Sequence, residues 1–156
     1  MKRHLFKGML AAAIALPALS AATWAQDNDR QGGAPACSLA TLKGQYPFAG
    51  SGTLFPPAFG VTAQSAAASA GYHIFNGDGT GTDYVTFTVN GVNQNVPSPV
   101  AITYTLHPDC TGTYSVQNGP SFAIFVAVDG SALSVIDTNP GVSFSAGPNP
   151  RVGFGQ

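Results

Sequence analysis

The sequence contains very little charge and no glutamate. Only 8% of its 156 residues are charged, and all seven acidic residues are aspartates. Three of the six basic residues, Lys2, Arg3 and Lys7, lie at the extreme N-terminus. Beyond that segment three scattered cations accompany seven aspartates, a net charge of −4. So few cations cannot neutralise a phosphate backbone, so we expect no nucleic-acid partner.

Cysteine is also scarce, because Cys37 and Cys110 are the only two in the chain. A structural zinc site normally needs four protein ligands, which one pair does not supply. In an oxidising compartment an even pair predicts one disulfide. Closing a loop of this length would stabilise the fold by about 4 kcal/mol. Two free thiols or a shared metal are the alternatives.

The sequence has no hydrophobic run long enough to span a membrane as a helix. Its longest apolar stretch, residues 9–19, is interrupted by Pro17 and falls short of the roughly 20 residues required. Basic residues precede this stretch, and small residues follow it up to Ala25. This layout predicts a signal peptide over residues 1–25, cleaved after Ala25, with Ala22 as second choice. We therefore expect a secreted or periplasmic protein that does not span the membrane. A retained N-terminal anchor is the alternative.

Helical periodicity is almost absent from the rest of the chain. Residues 26–36 are polar and rich in glycine, which predicts a flexible leader before a single domain over residues 37–156. Within that domain turn pairs recur every 8–12 residues or so, among them Asn90-Gly91, Asn118-Gly119 and Asp129-Gly130. This spacing is typical of antiparallel all-β proteins.

Between the turns, polar and apolar residues alternate with the period of two that is typical of strands. The candidate strands are residues 44–50, 71–75, 83–90, 100–106, 113–116, 121–128, 132–136, 142–145 and 151–154. The strand over residues 121–128 is apolar on both faces, so we expect something to cover its back. Residues 63–70 are alanine-rich and are the only weak helix candidate. The pattern predicts an all-β fold, an antiparallel meander of about eight strands closing into a small barrel, with a two-sheet sandwich as the alternative.

Three segments carry a resemblance to small secreted bacterial β-barrel proteins. They are residues 37–44 (CSLATLKG), 72–81 (YHIFNGDGTG) and 109–114 (DCTGTY), in that order. The group resembles the lipocalins, or the barrels of the allene oxide cyclase type. The resemblance covers most of residues 37–154. It implies a barrel that holds an apolar ligand or a reacting polyene, and it assigns no catalytic residue.

Catalytic and metal-binding motifs are missing. His73 and His107 are the only histidines beyond the predicted signal peptide, and no Gly-x-Ser-x-Gly motif accompanies them. The segment Asn76–Asp83 has alternating oxygen ligands but lacks the closing glutamate of a calcium loop, so a hairpin turn is favoured. We expect no metal and no cofactor, and the catalytic residues, if any, are unknown.

The aromatic residues are the main functional signal. We expect a group of them on the predicted strands to line a ligand site: Tyr72, Phe75, Tyr84, Phe87, Tyr104 and Phe125. A cavity would remain if the small-residue faces of strands 101–105 and 123–127 point inward, with residues 59–71 as a flap. Inward aromatic faces would fill the lumen. The expected function is binding of an uncharged apolar or aromatic small molecule. A cofactor-independent cyclase or isomerase, or an envelope interaction or structural protein, is the alternative.

Overall fold

The computed structural model describes residues 36–153. The predicted signal peptide and all but the last residue of the predicted leader lie outside the described residues. Nine strands follow a short 3₁₀ helix, Leu39–Leu42, and a second 3₁₀ turn lies at Ala58–Gly60. The strands are β1 (Gly44–Leu54), β2 (Ser65–Phe75), β3 (Thr80–Val89), β4 (Val92–Gln94), β5 (Val100–Leu106), β6 (Thr111–Val116), β7 (Ser121–Val126), β8 (Ala132–Asp137) and β9 (Val142–Pro150).

Eight of these strands form a closed antiparallel barrel, which confirms the predicted meander. Each barrel strand pairs with the next one along the chain, and β9 pairs with β1 to close the sheet. The exception to strict succession is β4, a three-residue strand that pairs only with the end of β3. β3 pairs with β5 through Thr80–Asp83 and with β4 through Phe87–Val89, so residues 84–86 pair with no strand on that side.

Alternation along the strands determines which side chains face the interior. In β5, Val100, Ile102 and Tyr104 are buried, whereas the small residues between them are exposed. In β7, Phe122 and Ile124 are likewise buried, but Phe125 is 55% exposed on the outer surface. The expectation that both faces of this strand are covered is therefore wrong, because no described element packs over Phe125.

One end of the barrel is sealed by the N-terminal segment. Leu42 of the first 3₁₀ helix is fully buried against Tyr46, Phe75 and other core residues. The Tyr104 hydroxyl donates a hydrogen bond of 2.9 Å to the Leu39 carbonyl oxygen. The predicted disulfide between Cys37 and Cys110 is present and ties this segment to the β5–β6 turn. We call this the closed end of the barrel.

The sequence-based prediction is wrong for residues 63–70 and 59–71. Residues 65–71 are neither helix nor flap but the first part of β2, which pairs with β1 on one side and, from Ala67 onward, with β3 on the other. Small side chains suit this position, since a Cβ at Gly71 would overlap the Tyr84 carbonyl oxygen. Only residues 55–64 form the β1–β2 loop. The last predicted strand is reduced to one bridge between Gln45 and Val152, and Phe154 lies outside the described residues.

Candidate ligand-binding cavity

The barrel is open at the end opposite the N-terminal 3₁₀ helix, where a cavity of about 420 Å³ enters the lumen. Aromatic rings make up much of its wall: Phe48, Phe59, Phe87, Tyr114, Phe122 and Phe144. The β1–β2 loop, the β4–β5 segment and the β6–β7 turn surround the mouth. No lysine or arginine lies among the lining residues.

The lumen changes from filled to open along its length. Tyr46, Phe75 and Tyr104 fill the closed end. Toward the mouth the lining mixes smaller side chains, among them Ser69, Val85 and Val142, with aromatic rings. The choice expected from the sequence, either a full or an open lumen, is therefore too simple. The apolar faces point inward, and a cavity is still left at the open end.

A histidine and an aspartate form a buried pair in the cavity wall. His73 on β2 lies directly opposite Asp83 on β3, and both side chains turn inward. The His73 Nδ1 and Asp83 Oδ1 atoms are 2.8 Å apart, with the two residues only 1% and 3% exposed. Phe48 stacks on the imidazole with ring centroids 4.1 Å apart, and Tyr114 approaches it edge-on at 5.2 Å. The pair is thus held rigidly among aromatic rings.

One polar atom of this pair has no partner. His73 Nε2 is buried and makes no hydrogen bond within the described residues. Buried polar atoms in folded proteins are nearly always hydrogen-bonded, so this exception, on a residue that lines the cavity, is a candidate contact for a ligand atom.

Negative charge surrounds the buried tyrosine of the cavity. Burial raises the pKa of Tyr114 well above its ordinary value, and the charges of Asp83 and Asp137 raise it further. Asp137 also lines the cavity, and its Oδ1 accepts hydrogen bonds of 2.7 Å from the Asn139 backbone N–H and side-chain amide. Tyr114 therefore stays neutral and can donate a hydrogen bond, while an anion in the cavity would meet two carboxylates.

Phe59 stands at the mouth in an uncommon backbone conformation. Its φ of 50° lies in the left-handed region, which bulky residues rarely adopt. Its ring lies 5.6 Å from that of Phe87, across the entrance. The β1–β2 loop therefore supplies an aromatic contact to the cavity through a strained residue.

The structure does not bring the six predicted ligand-binding residues together. Phe87 lines the cavity, whereas Phe75 and Tyr104 are buried at the closed end. Tyr72 and Tyr84 lie opposite each other on the outer surface, 46% and 43% exposed, and Phe125 is also outside. Period-two alternation separates two faces of a strand but does not say which one is inside. Here the polar His73 and Asp83 take the inner positions and force the neighbouring tyrosines outward.

The pairing of His73 with Asp83 could have been found from the sequence. The Asn76–Gly79 turn predicts a hairpin centred near Asp78, and residues five positions before and after that centre then lie opposite each other. His73 and Asp83 occupy those positions. The sequence does not indicate that the pair faces the barrel interior, because two polar residues normally predict an outer face.

No known family model matches the sequence, and no curated protein or solved structure was found to be similar to it. Within residues 36–153, no helix has the length and apolar character needed to cross a membrane. The same part of the chain contains no cluster of three histidine, cysteine or acidic side chains that could hold a metal ion. Residues 36–153 form a small closed eight-stranded antiparallel barrel, an architecture compatible with a lipocalin-like barrel.

Proposed function

We propose that the protein is a lipocalin-like barrel that binds an uncharged small molecule with an apolar or aromatic body. The cavity at the open end carries this proposal. Its volume of about 420 Å³ falls in the range of small-molecule sites, which are typically roughly 300–1,000 Å³ and mostly apolar. Its aromatic walls suit a flat, ring-containing ligand.

The charge distribution disfavours an anionic ligand. Lys43 and Arg151 are the only basic lysine or arginine side chains among residues 36–153. Lys43 follows the 3₁₀ helix at the closed end, and the Arg151 guanidinium donates a hydrogen bond of 3.2 Å to the Asp129 carbonyl oxygen. Neither lines the cavity, whereas Asp83 and Asp137 do. An anionic ligand would lose its hydration without gaining a cation.

Binding of N-phenyl-1-naphthylamine, a neutral aromatic fluorescent probe, tests the proposal. Val85 and Tyr84 are neighbours on β3, but Val85 lines the cavity and Tyr84 lies on the outer surface. The wild type should bind the probe saturably, and Val85→Trp should weaken binding at least about tenfold by filling the cavity. The matched control Tyr84→Trp should bind like the wild type. Absent or unsaturable binding by the folded wild type would refute the proposal, as would equal binding by Val85→Trp.

A cofactor-independent isomerase or cyclase is the second candidate. The observation that favours it is the buried His73–Asp83 pair, which lies beside Tyr114. The pKa of the Tyr114 hydroxyl is strongly raised. Perturbed titratable groups in a cavity are typical of acid–base catalysis. An isomer has the same mass as its precursor. Conversion of a bound ligand to its isomer would therefore appear as a new chromatographic peak of unchanged mass. That peak should disappear with His73→Phe if this candidate is right.

We also propose that the protein is exported, with its signal peptide removed after Ala25. The Cys37–Cys110 disulfide supports an oxidising compartment. Mass spectrometry of the exported protein should give Gln26 as the N-terminal residue. An intact Met1 on the folded protein would contradict this.

A further inference from the structure

The unpartnered nitrogen of His73 gives the cavity a chemical preference beyond its apolar character. We propose that His73 Nε2 accepts a hydrogen bond from a ligand hydroxyl, so that the ligand class is a phenol or an alcohol with an apolar body. This inference rests on the proposed binding function and names the polar group that the ligand must carry.

The Asp83 partner determines which nitrogen of His73 carries a proton. An ionised carboxylate can only accept hydrogen bonds, so at the 2.8 Å contact Nδ1 must be the donor. In a neutral imidazole the other nitrogen then carries a lone pair. With a neutral His73, which this proposal requires, Nε2 is an acceptor, and its partner has to bring a donor.

The ring cannot turn away to find another partner. Phe48 stacks on it nearly in parallel, with an interplanar angle of 8°, and Tyr114 packs against it edge-on. Asp83 holds Nδ1 from the neighbouring strand. Nε2 is therefore fixed in the absence of ligand, which lowers the entropic cost of forming a specific hydrogen bond.

The neighbouring charges exclude an anionic group from this position. A carboxylate could not donate to Nε2, and it would lie near Asp83 and Asp137 without a compensating cation. A hydroxyl supplies the proton without adding charge. A site built for a hydroxyl rejects the analogue that lacks it, because the buried acceptor is then left unpaired.

The test compares 2-naphthol with 2-methylnaphthalene, which replaces the hydroxyl with a methyl group of similar size. Each compound competes with N-phenyl-1-naphthylamine for the wild-type protein. Although 2-methylnaphthalene is the more hydrophobic of the two, we expect 2-naphthol to bind about tenfold more tightly or better. His73→Phe should abolish this preference. Tyr72→Phe is the matched control, since Tyr72 neighbours His73 on β2 but lies on the outer surface, and it should keep the preference.

The outcomes separate this inference from the function on which it rests. Equal binding of the two naphthalenes, or tighter binding of 2-methylnaphthalene, overturns the hydroxyl anchor while the binding function stands. Failure of the wild type to bind any of the three compounds overturns both.

A measurement on the wild type avoids dependence on the fold of His73→Phe. The ¹⁵N resonance of His73 Nε2 should shift on addition of 2-naphthol, because accepting a hydrogen bond changes the shielding of a lone-pair nitrogen. The same resonance should shift far less with saturating 2-methylnaphthalene. An Nε2 resonance that 2-naphthol leaves unchanged at saturation would overturn the proposal.

Discussion

At the residue scale, one arrangement recurs at four hairpin turns. Asp78, Asp109, Asp129 and Asp137 each accept a hydrogen bond from the backbone N–H two residues further on. In the first two turns the hydroxyl of that residue, Thr80 or Thr111, also donates to the same carboxylate oxygen at 2.7 Å. The aspartates therefore act locally on the turns, a role that short polar side chains often have.

These hydrogen bonds make the turns sensitive to acid. The Thr80 hydroxyl and backbone N–H lower the pKa of Asp78, and the equivalent groups lower the pKa of Asp109 and Asp129. A carboxyl group whose pKa is lower in the folded state than in the unfolded state stabilises the fold at pH values above its unfolded pKa. This contribution is lost as the pH falls through the folded pKa. We therefore expect stability to decline below about pH 4, the ordinary range of aspartate.

Thr80→Val tests this account at one turn. Loss of the hydroxyl should raise the pKa of Asp78 toward its ordinary value, which reduces the acid sensitivity that this residue contributes. NMR titration of the aspartate carboxyl carbons measures the change. Thr86→Val, an exposed position further along β3, is the control and should leave Asp78 unaffected. Identical titration of Asp78 in the wild type and Thr80→Val would contradict the assignment.

At the element scale, the sequence predicts strands best where large and small residues alternate. β5 begins and ends as predicted, because Val100, Ile102 and Tyr104 alternate with small residues. β2 was missed over its first half, since its alanines carry no contrast between faces. Pairing with β1 and β3 rather than side-chain pattern holds residues 67–71 in the sheet. Such tertiary pairing overrides the helix propensity of alanine.

The disulfide links the N-terminal segment to the β5–β6 turn, and few other interactions hold these two elements together. Besides the bond itself, the Cys37 N–H donates to the Pro108 carbonyl oxygen, and the 3₁₀ helix packs Leu42 into the core. Cys37 and Cys110 are 73 positions apart, and closing such a loop stabilises a fold by about 4 kcal/mol on the chain-entropy model.

Cys37→Ser and Cys110→Ser should each lower the free energy of unfolding by about that amount, because either one opens the same loop. Urea denaturation of oxidised samples gives the values. The double variant is the control and should lose no more than a single variant, since the cross-link can be removed only once. Additive losses in the double variant would show that the cysteines act separately.

At the scale of the whole molecule, the closed barrel was predictable and its cavity was not. Regular turn spacing and short alternating strands predict a meander, and closure removes its exposed edges. The cavity depends on which side chains meet at each level of the barrel. Tyr46 and Phe75 meet at the closed end, whereas Ser69 and Val85 lie among aromatic rings at the open end. These combinations become visible only when the strand register brings distant residues to one level.

The same limit explains why the six residues of the predicted ligand site do not lie together. Aromatic residues were chosen from the sequence without knowing their face, and three of the six lie on the outer surface. The predicted ligand site does not include the polar pair of His73 and Asp83, because polar residues normally face solvent. A polar pair inside an apolar barrel goes against the hydrophobic pattern, and such departures are expected at functional sites.

Intermolecular NOEs between bound N-phenyl-1-naphthylamine and ¹³C-labelled valine methyl groups test the central claim most directly. The account predicts NOEs to Val85, Val135 and Val142, which line the cavity on three different strands. It predicts none to Val92 and Val128, which are exposed outside it. NOEs to Val92 or Val128 without contacts to the three cavity valines would contradict the claim that the barrel binds its ligand inside the open end.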